Sequence, residues 1–166
     1  ARERYATAVR TGRLYAGHEY AEIVGAQMLP APEEVATALG VAPGDPVARR
    51  HRVNHDRDVP TATSWSWFTA DVAAAAPGLL RHHRVREGTT RYVELATGRH
   101  AHTGRDWWTA RLATEEEREL LRLDAPAAVA EVRHLAYDTE GRALAYEVGI
   151  SPAGRWTRTD EYPLGS

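Results

Sequence analysis

The chain contains neither cysteine nor lysine, and only one methionine and one phenylalanine among its 166 residues. Without cysteine there is no thiol nucleophile, no disulfide framework and no thiolate-ligated metal centre. Without lysine there is no Schiff base, no covalently held pyridoxal phosphate and no Walker A phosphate clamp. All 21 basic side chains are therefore arginines, and against 23 acidic ones they leave a formal charge of −2. A free-standing nucleic-acid binder would be plainly basic, so this chain does not read as one. No apolar run approaches the roughly 20 residues of a membrane span, and no signal-peptide pattern is visible. The length fits one domain that buries about two thirds of its unfolded surface, enough for a core without staples. The chain starts at Ala1 in mid-pattern, which reads as a fragment of something longer.

Residues 1–13 are charged and weakly patterned and read as the remnant of a linker; Gly165-Ser166 reads as a cloning remnant. Leu14–Met28 is an extended stretch. Pro32 opens a helix to Leu39, with Glu33 and Glu34 at its positive end and Gly40 to stop it. Strands follow over Val47–Asp56 and Thr61–Phe68, joined by a turn at Arg57–Pro60. Asp71–Ala76 is a short helix ended by Pro77-Gly78, and Arg81–Glu87 a polar loop. Thr89 or Thr90 is expected to cap a helix through Tyr92 to Gly98. Arg99–Leu112 reads as a long strand. Thr114 and Glu117 form a capping box for a helix through Leu120 and Leu121. Strands over Ala127–Tyr137 and Arg142–Ile150, with a turn at Asp138–Gly141, complete the chain.

An internal similarity organises these elements. Leu39 and Leu121, Val47 and Val129, Asp56 and Asp138 each stand 82 positions apart, within matching runs of helix, turn, strand and return strand. Two copies are too few for a solenoid. They predict an α+β fold in which one antiparallel sheet is built from two helix-plus-hairpin halves, helices cover a face, and a ligand cleft lies between the halves.

Catalytic and metal motifs are weak. His51 and His55 are four apart on a strand, roughly 13 Å from each other and too far to chelate one ion. His100 and His102 share a strand face but lack a third ligand nearby. Ser64, Ser66 and Ser151 sit in no nucleophile elbow. No metal and no cofactor is expected. Trp65 and Trp67 share a strand face, as do Arg50 and Arg52. An inward arginine must be paired or must meet an anion, which makes Arg52 an anion-binding candidate.

Three stretches carry a resemblance: Ala38–Val47 (ALGVAPGDPV), Arg52–Pro60 (RVNHDRDVP) and, in the second half, Arg133–Arg142 (RHLAYDTEGR). In their order and doubled layout they resemble the UTRA domain of GntR-type bacterial transcription regulators of the HutC branch, over residues 14–164. The lysine-free, arginine- and alanine-rich composition resembles that of a high-GC bacterium such as an actinomycete. The resemblance implies a chorismate-lyase-like fold, a homodimer, a cytoplasmic location and a small-molecule effector. It also implies an N-terminal winged helix, not present in this sequence, through which alone operator DNA would be bound; no membrane partner is implied. Carried over by position, the effector-binding residues are Arg52, Asn54, Ser64, Thr90, Tyr92, Tyr146 and Glu147. Asn54 stands where phosphosugar sensors of the family place a second arginine, and Ser64 where they place a glutamate. These departures favour a monoanionic or neutral effector, held by Arg52, Thr90 and Tyr92 against Trp65 or Trp67. The competing expectation is a chorismate-lyase-like enzyme acting on a small carboxylate, since such enzymes share the fold and also bind acids through arginine.

Overall fold

A computed structural model describes residues 18–85 and 87–154. The expected linker (1–13), part of the first extended stretch, the end of the expected domain (155–164) and residues 165–166 lie outside the described residues. The elements run β1 (Glu19–Pro30), α1 (Glu33–Leu39), β2 (Pro46–Asp56), β3 (Val59–Thr69), α2 (Ala70–Ala75), a 3-10 turn (Pro77–Leu80), α3 (Thr89–Thr97), β4 (Ala101–Leu112), α4 (Glu115–Leu121), β5 (Ala128–Asp138) and β6 (Ala143–Pro152). The strands form one six-stranded sheet in the order β1-β2-β3-β6-β5-β4, and every neighbouring pair is antiparallel. Among the described residues no helix is long and apolar enough to cross a membrane.

The duplication is deeper than the helix-plus-hairpin unit. Strand β4 (101–112) lies 82 positions after β1 (19–30), α4 (115–121) after α1 (33–39), and β5 (128–138) after β2 (46–56). Each half is therefore strand, helix, strand, strand, and the halves meet where β3 pairs with β6. Even the irregularities repeat. The β2–β3 ladder slips between Asn54 and His55, and the β5–β6 ladder between Ala136 and Tyr137, again 82 apart. Such an extra residue bends and twists a strand locally, so the bulge belongs to the repeated design.

Helices cover both faces of the sheet, not one as the sequence pattern predicts. We call the side carrying Ala48 and Phe68 the front. There α2, the 3-10 turn and α3 bury Val72, Ala76, Leu79 and Val93 against Ala48, Phe68, Ala136 and Leu144. On the back, α1 buries Val35, Ala36 and Leu39 against Val47, Trp67, Leu135 and Tyr146. A smaller cluster joins Leu121 of α4 to Val129 and Ile150.

Most local signals act as expected. Gly40 ends α1 in the left-handed region at φ 70°. Thr114 and Glu117 form both bonds of the capping box on α4. Helix α2 ends before Pro77 as expected, and Pro77 then opens a 3-10 turn, because its fixed φ suits a first helical position. One local expectation fails. Helix α3 starts one residue earlier than a threonine cap requires: Gly88, at φ 84°, is its N-cap, and no side chain caps it.

Candidate functional site

On a sheet with both faces covered, inward residues should be apolar, and a buried polar row is an exception that needs a reason. The front face carries such a row. Along β2 its inward residues are Ala48, Arg50, Arg52 and Asn54; along β3 they include Ser64, Ser66 and Phe68. The ladder register sets Arg52 opposite Ser64 and Ser64 opposite Gly149; the next rung sets Arg50 opposite Ser66 and Ser66 opposite Glu147. Arg50, Asn54, Ser64 and Ser66 are all buried.

Arg52 reaches across β3, and its Nη2 donates to Glu147 Oε1 at 2.9 Å. Ser66 Oγ donates to the other carboxylate oxygen, also at 2.9 Å. Glu147 is thus held by one residue from each of two strands of the first half. Ser64, on the neighbouring rung, is 4% exposed, and its hydroxyl has no hydrogen-bond partner among the described residues. Buried hydroxyls are normally bonded, and an orphan points to a group that completes it. Gly149 beside it brings the second half close: a Cβ there would stand 3.1 Å from Val132 Cγ1.

Arg50 shares the face of Arg52 but is otherwise engaged. Its guanidinium donates to the carbonyls of Leu79 (2.9 Å), Arg81 (2.7 Å) and His83 (2.5 Å). Burial, and then the neighbouring charge of Arg52, push its pKa down. Arg50 therefore pins the segment after the 3-10 turn onto the site floor. Nothing local predicts this, since its partners lie about 30 residues away in irregular chain.

Four of the seven expected residues, Arg52, Asn54, Ser64 and Glu147, come together on the front. Thr90 lies half-buried in the first turn of α3, and no hydrogen bond among the described residues joins it to Arg52, Ser64 or Glu147. The Tyr92 hydroxyl accepts from the Gly78 N–H at 2.9 Å and so ties α3 to the 3-10 turn. A Cβ at Gly78 would stand 2.7 Å from that oxygen, which is why glycine occupies the position.

Tyr146 sits elsewhere. Adjacent strand residues point to opposite faces, so Glu147 on the front places Tyr146 on the back. There its hydroxyl donates to Glu34 of α1, and burial followed by that carboxylate raises its pKa. The same parity corrects the aromatic wall. Trp65 and Trp67 pack in the back clusters, on the side of β3 opposite Ser64 and Ser66. Neither can face Arg52.

Tyr146 lines a back-face cleft of about 600 Å³ between α1 and β4, with Glu34, Arg105, Trp107, Arg133 and Tyr137 around it. Most of its charges are paired, while Arg105 lies over the Trp107 ring. Arg133 bridges Glu34 (3.0 Å) and Glu131 (2.8 Å), and Arg111 bridges Glu131 (2.7 Å) and Glu117 (2.6 Å). Bonding to Arg111 lowers the pKa of Glu117 and raises that of the arginine.

Sequence reasoning also missed His134 and Asp106. They face each other across β5 and β4 on the front, with His134 Nδ1 and Asp106 Oδ1 2.5 Å apart. The signal was available, because His134 stands 82 positions after Arg52. Among the described residues no cluster of three or more His, Asp or Glu could hold a metal ion.

Known proteins place the chain. The family model described as "UTRA domain" matches residues 17–156. A curated relative, an uncharacterised HTH-type transcriptional regulator of Rhizobium meliloti, is 32% identical over 131 residues, 75% of this chain. The chain spans about half of that relative's length (50%). Among solved structures, a GntR-family transcriptional regulator from Bacillus cereus is similar at TM-score 0.78 and 19% identity, over 89% of this chain and 100% of that one. PhnF from Mycobacterium smegmatis is similar at TM-score 0.73 and 23% identity, over 97% and 68%. The ligand-binding domain of a regulator assigned to the GntR family, from Bordetella bronchiseptica, is similar at 0.76 and 18%, over 88% and 92%. With an α+β sheet shared with these structures and the family matched over most of its length, the chain belongs to the UTRA domain family.

Proposed function

We propose that the chain is the effector-sensing and dimerisation half of a cytoplasmic GntR-type transcription regulator of the HutC branch, from a high-GC source, and that it is not an enzyme. The curated relative is an HTH-type regulator about twice the matched length, which leaves room for a DNA-contacting half outside the matched region. The observation that carries the reading is the buried, unpartnered Ser64 hydroxyl beside the Arg52–Glu147 pair. The effector binds there, on the floor between the halves, with Arg52, Asn54, Ser64 and Glu147 in contact and with Thr90 and Tyr92 at the rim. The back cleft is the weaker candidate, because most of its charged side chains are already engaged in a run of ion pairs.

Arg52 already faces one carboxylate, so the site suits a monoanionic or neutral metabolite better than a dianionic phosphate. Effector binding controls operator affinity only through a difference in affinity for two placements of the DNA-binding domains in a homodimer. Native mass spectrometry of the purified chain for a retained ligand, followed by thermal shift with a library of small acids, sugars and amino acids, tests the reading. A ligand at 100 times its Kd stabilises by about 2.7 kcal/mol. Arg52→Ala is expected to abolish that gain. If no compound shifts the melting temperature and Arg52→Ala changes nothing, the domain is a dimerisation module alone. Conversion of chorismate to 4-hydroxybenzoate would make it an enzyme.

A further inference from the structure

The polar floor contains two pairs of residues related by the duplication. Arg52 and His134 are 82 positions apart on β2 and β5, and Ser64 and Glu147 are 83 apart on β3 and β6. The extra step lies in the turns: two residues, Arg57 and Asp58, separate the paired Asp56 and Val59 in the first half, whereas three, 139–141, separate Asp138 from Arg142 in the second. The site is thus a pseudo-twofold arrangement in which a cation on one side is answered by an imidazole on the other.

That imidazole is oriented. Asp106 holds Nδ1, and the ring lies against Gly104, where a Cβ would stand 3.0 Å from Cε1. Among the described residues nothing hydrogen-bonds Nε2, and the side chain is 23% exposed. A neutral imidazole that donates through Nδ1 carries its lone pair on Nε2, which makes Nε2 an acceptor. Arg52 reaches over β3 to Glu147, and Glu147 stands opposite His134 on the adjacent strand. Strands lie about 4.8 Å apart, so the two ends are within roughly 5–10 Å, the length of a small metabolite.

We infer that His134 is a specificity-determining residue of the effector site, with Asp106 as its positioning residue. The effector is bifunctional. A carboxylate or carbonyl takes Arg52 and the Ser64 hydroxyl, and a hydroxyl or amino group at the other end donates to His134 Nε2. This rests on the front face being the effector site.

Titration calorimetry of the 166-residue chain at pH 8 tests it with a matched set of probes: butyrate, 4-hydroxybutyrate, 4-aminobutyrate and succinate. The two donor-ended acids are expected to bind about five- to tenfold tighter than butyrate, the worth of one hydrogen bond. His134→Leu should level them with butyrate, and His134→Gln, which keeps an acceptor, should restore most of the difference. Asp106→Asn should favour the other tautomer, with the amide donating to Nδ1 and Nε2 carrying the proton, so that preference turns towards succinate. A merely structural role would lower all four affinities together. Circular dichroism confirms that each variant is folded. If the acids bind and Arg52→Ala weakens them, but the donor preference is missing or survives His134→Leu, this inference fails and the effector site stands. If none binds and Arg52→Ala is silent, both fail.

Discussion

Asp56 and Asp138 occupy the same place in the two copies of the repeated unit and do different jobs. Asp138 is 2% exposed and closes its hairpin. It accepts from the backbone N–H groups of Glu140 and Arg142, both at 2.9 Å, and from the guanidinium Nε of Arg99 at 2.7 Å and of Arg142 at 3.1 Å. Burial works against its charge, but these donors more than offset it and push its pKa down to about 2. The Asp56 side chain is 37% exposed, and among the described residues its one ion pair is with His18, at 3.4 Å. Its hairpin is instead turned by Arg57 and Asp58, both at positive φ (48° and 66°). Duplication has kept the residue and the bulge while the chemistry that closes the turn diverged. What the two halves share is therefore geometry more than interactions.

The contrast breaks most visibly on deleting the two carboxylates. Asp138→Ala leaves two guanidinium groups and two N–H groups without their acceptor and is expected to cost about 3–5 kcal/mol in urea unfolding. Asp56→Ala should cost less than about 1 kcal/mol. Equal losses would mean that the hairpins are closed in the same way.

A second test uses His51 and its counterpart in the second half, Arg133, which is charged at every pH of interest. Burial, then Arg49, push the His51 pKa from 6.5 down to about 4, and the ring stacks on Trp65. The unfolded chain takes up this proton near pH 6.5 and the folded chain only near pH 4. Stability is therefore complete above about pH 6.5 and drains away as the pH falls towards 4. The group is only half buried, so the loss is about 1–2 kcal/mol, less than the full pKa difference implies. His51→Gln should flatten the melting temperature over that window. An unchanged slope would place the titrating group elsewhere.

The smallest effect sharpens the likeness. Gly40 and Arg122 end α1 and α4 at equivalent positions, both left-handed, at φ 70° and 52°. Nothing lies within 4 Å of a Cβ at Gly40, so Gly40→Ala meets backbone strain alone and should cost about 1 kcal/mol. Arg122→Gly should gain about 0.5–1 kcal/mol, less its long bond to the Asp58 carbonyl at 3.3 Å. Thermal unfolding of the two variants should move in opposite directions.

Local chemistry made much of the fold legible. The stop at Gly40, the capping box at Thr114 and the 82-residue spacing each follow from a few neighbouring residues, and the spacing alone implied a sheet in two halves. Helices on both faces were not legible, because α2 and α3 lie in the connection between the two matched runs, and the spacing that exposes the sheet says nothing about which face a connection takes. At the site, Arg52 and Glu147 meet across 95 positions. Sequence brought them together only through a resemblance. Placing Tyr146 beside Glu147, and Trp65 or Trp67 beside Arg52, ignored the alternation of a strand, which assigns neighbours to opposite faces. The engagement of Arg50 could not be read at all, since it depends on the path of an irregular segment.

That alternation has a mechanical consequence for β6. Glu147 is its handle on the front, gripped by Arg52 and Ser66, and Tyr146 is its handle on the back, gripped by Glu34 at the start of α1. The strand between them is a stiff rod at the centre of the sheet, hydrogen-bonded on both edges. A slide of this rod by some distance carries both handles by that same distance. The contacts on the front site and on α1 therefore share one piece of backbone, with no chain of intervening side chains between them.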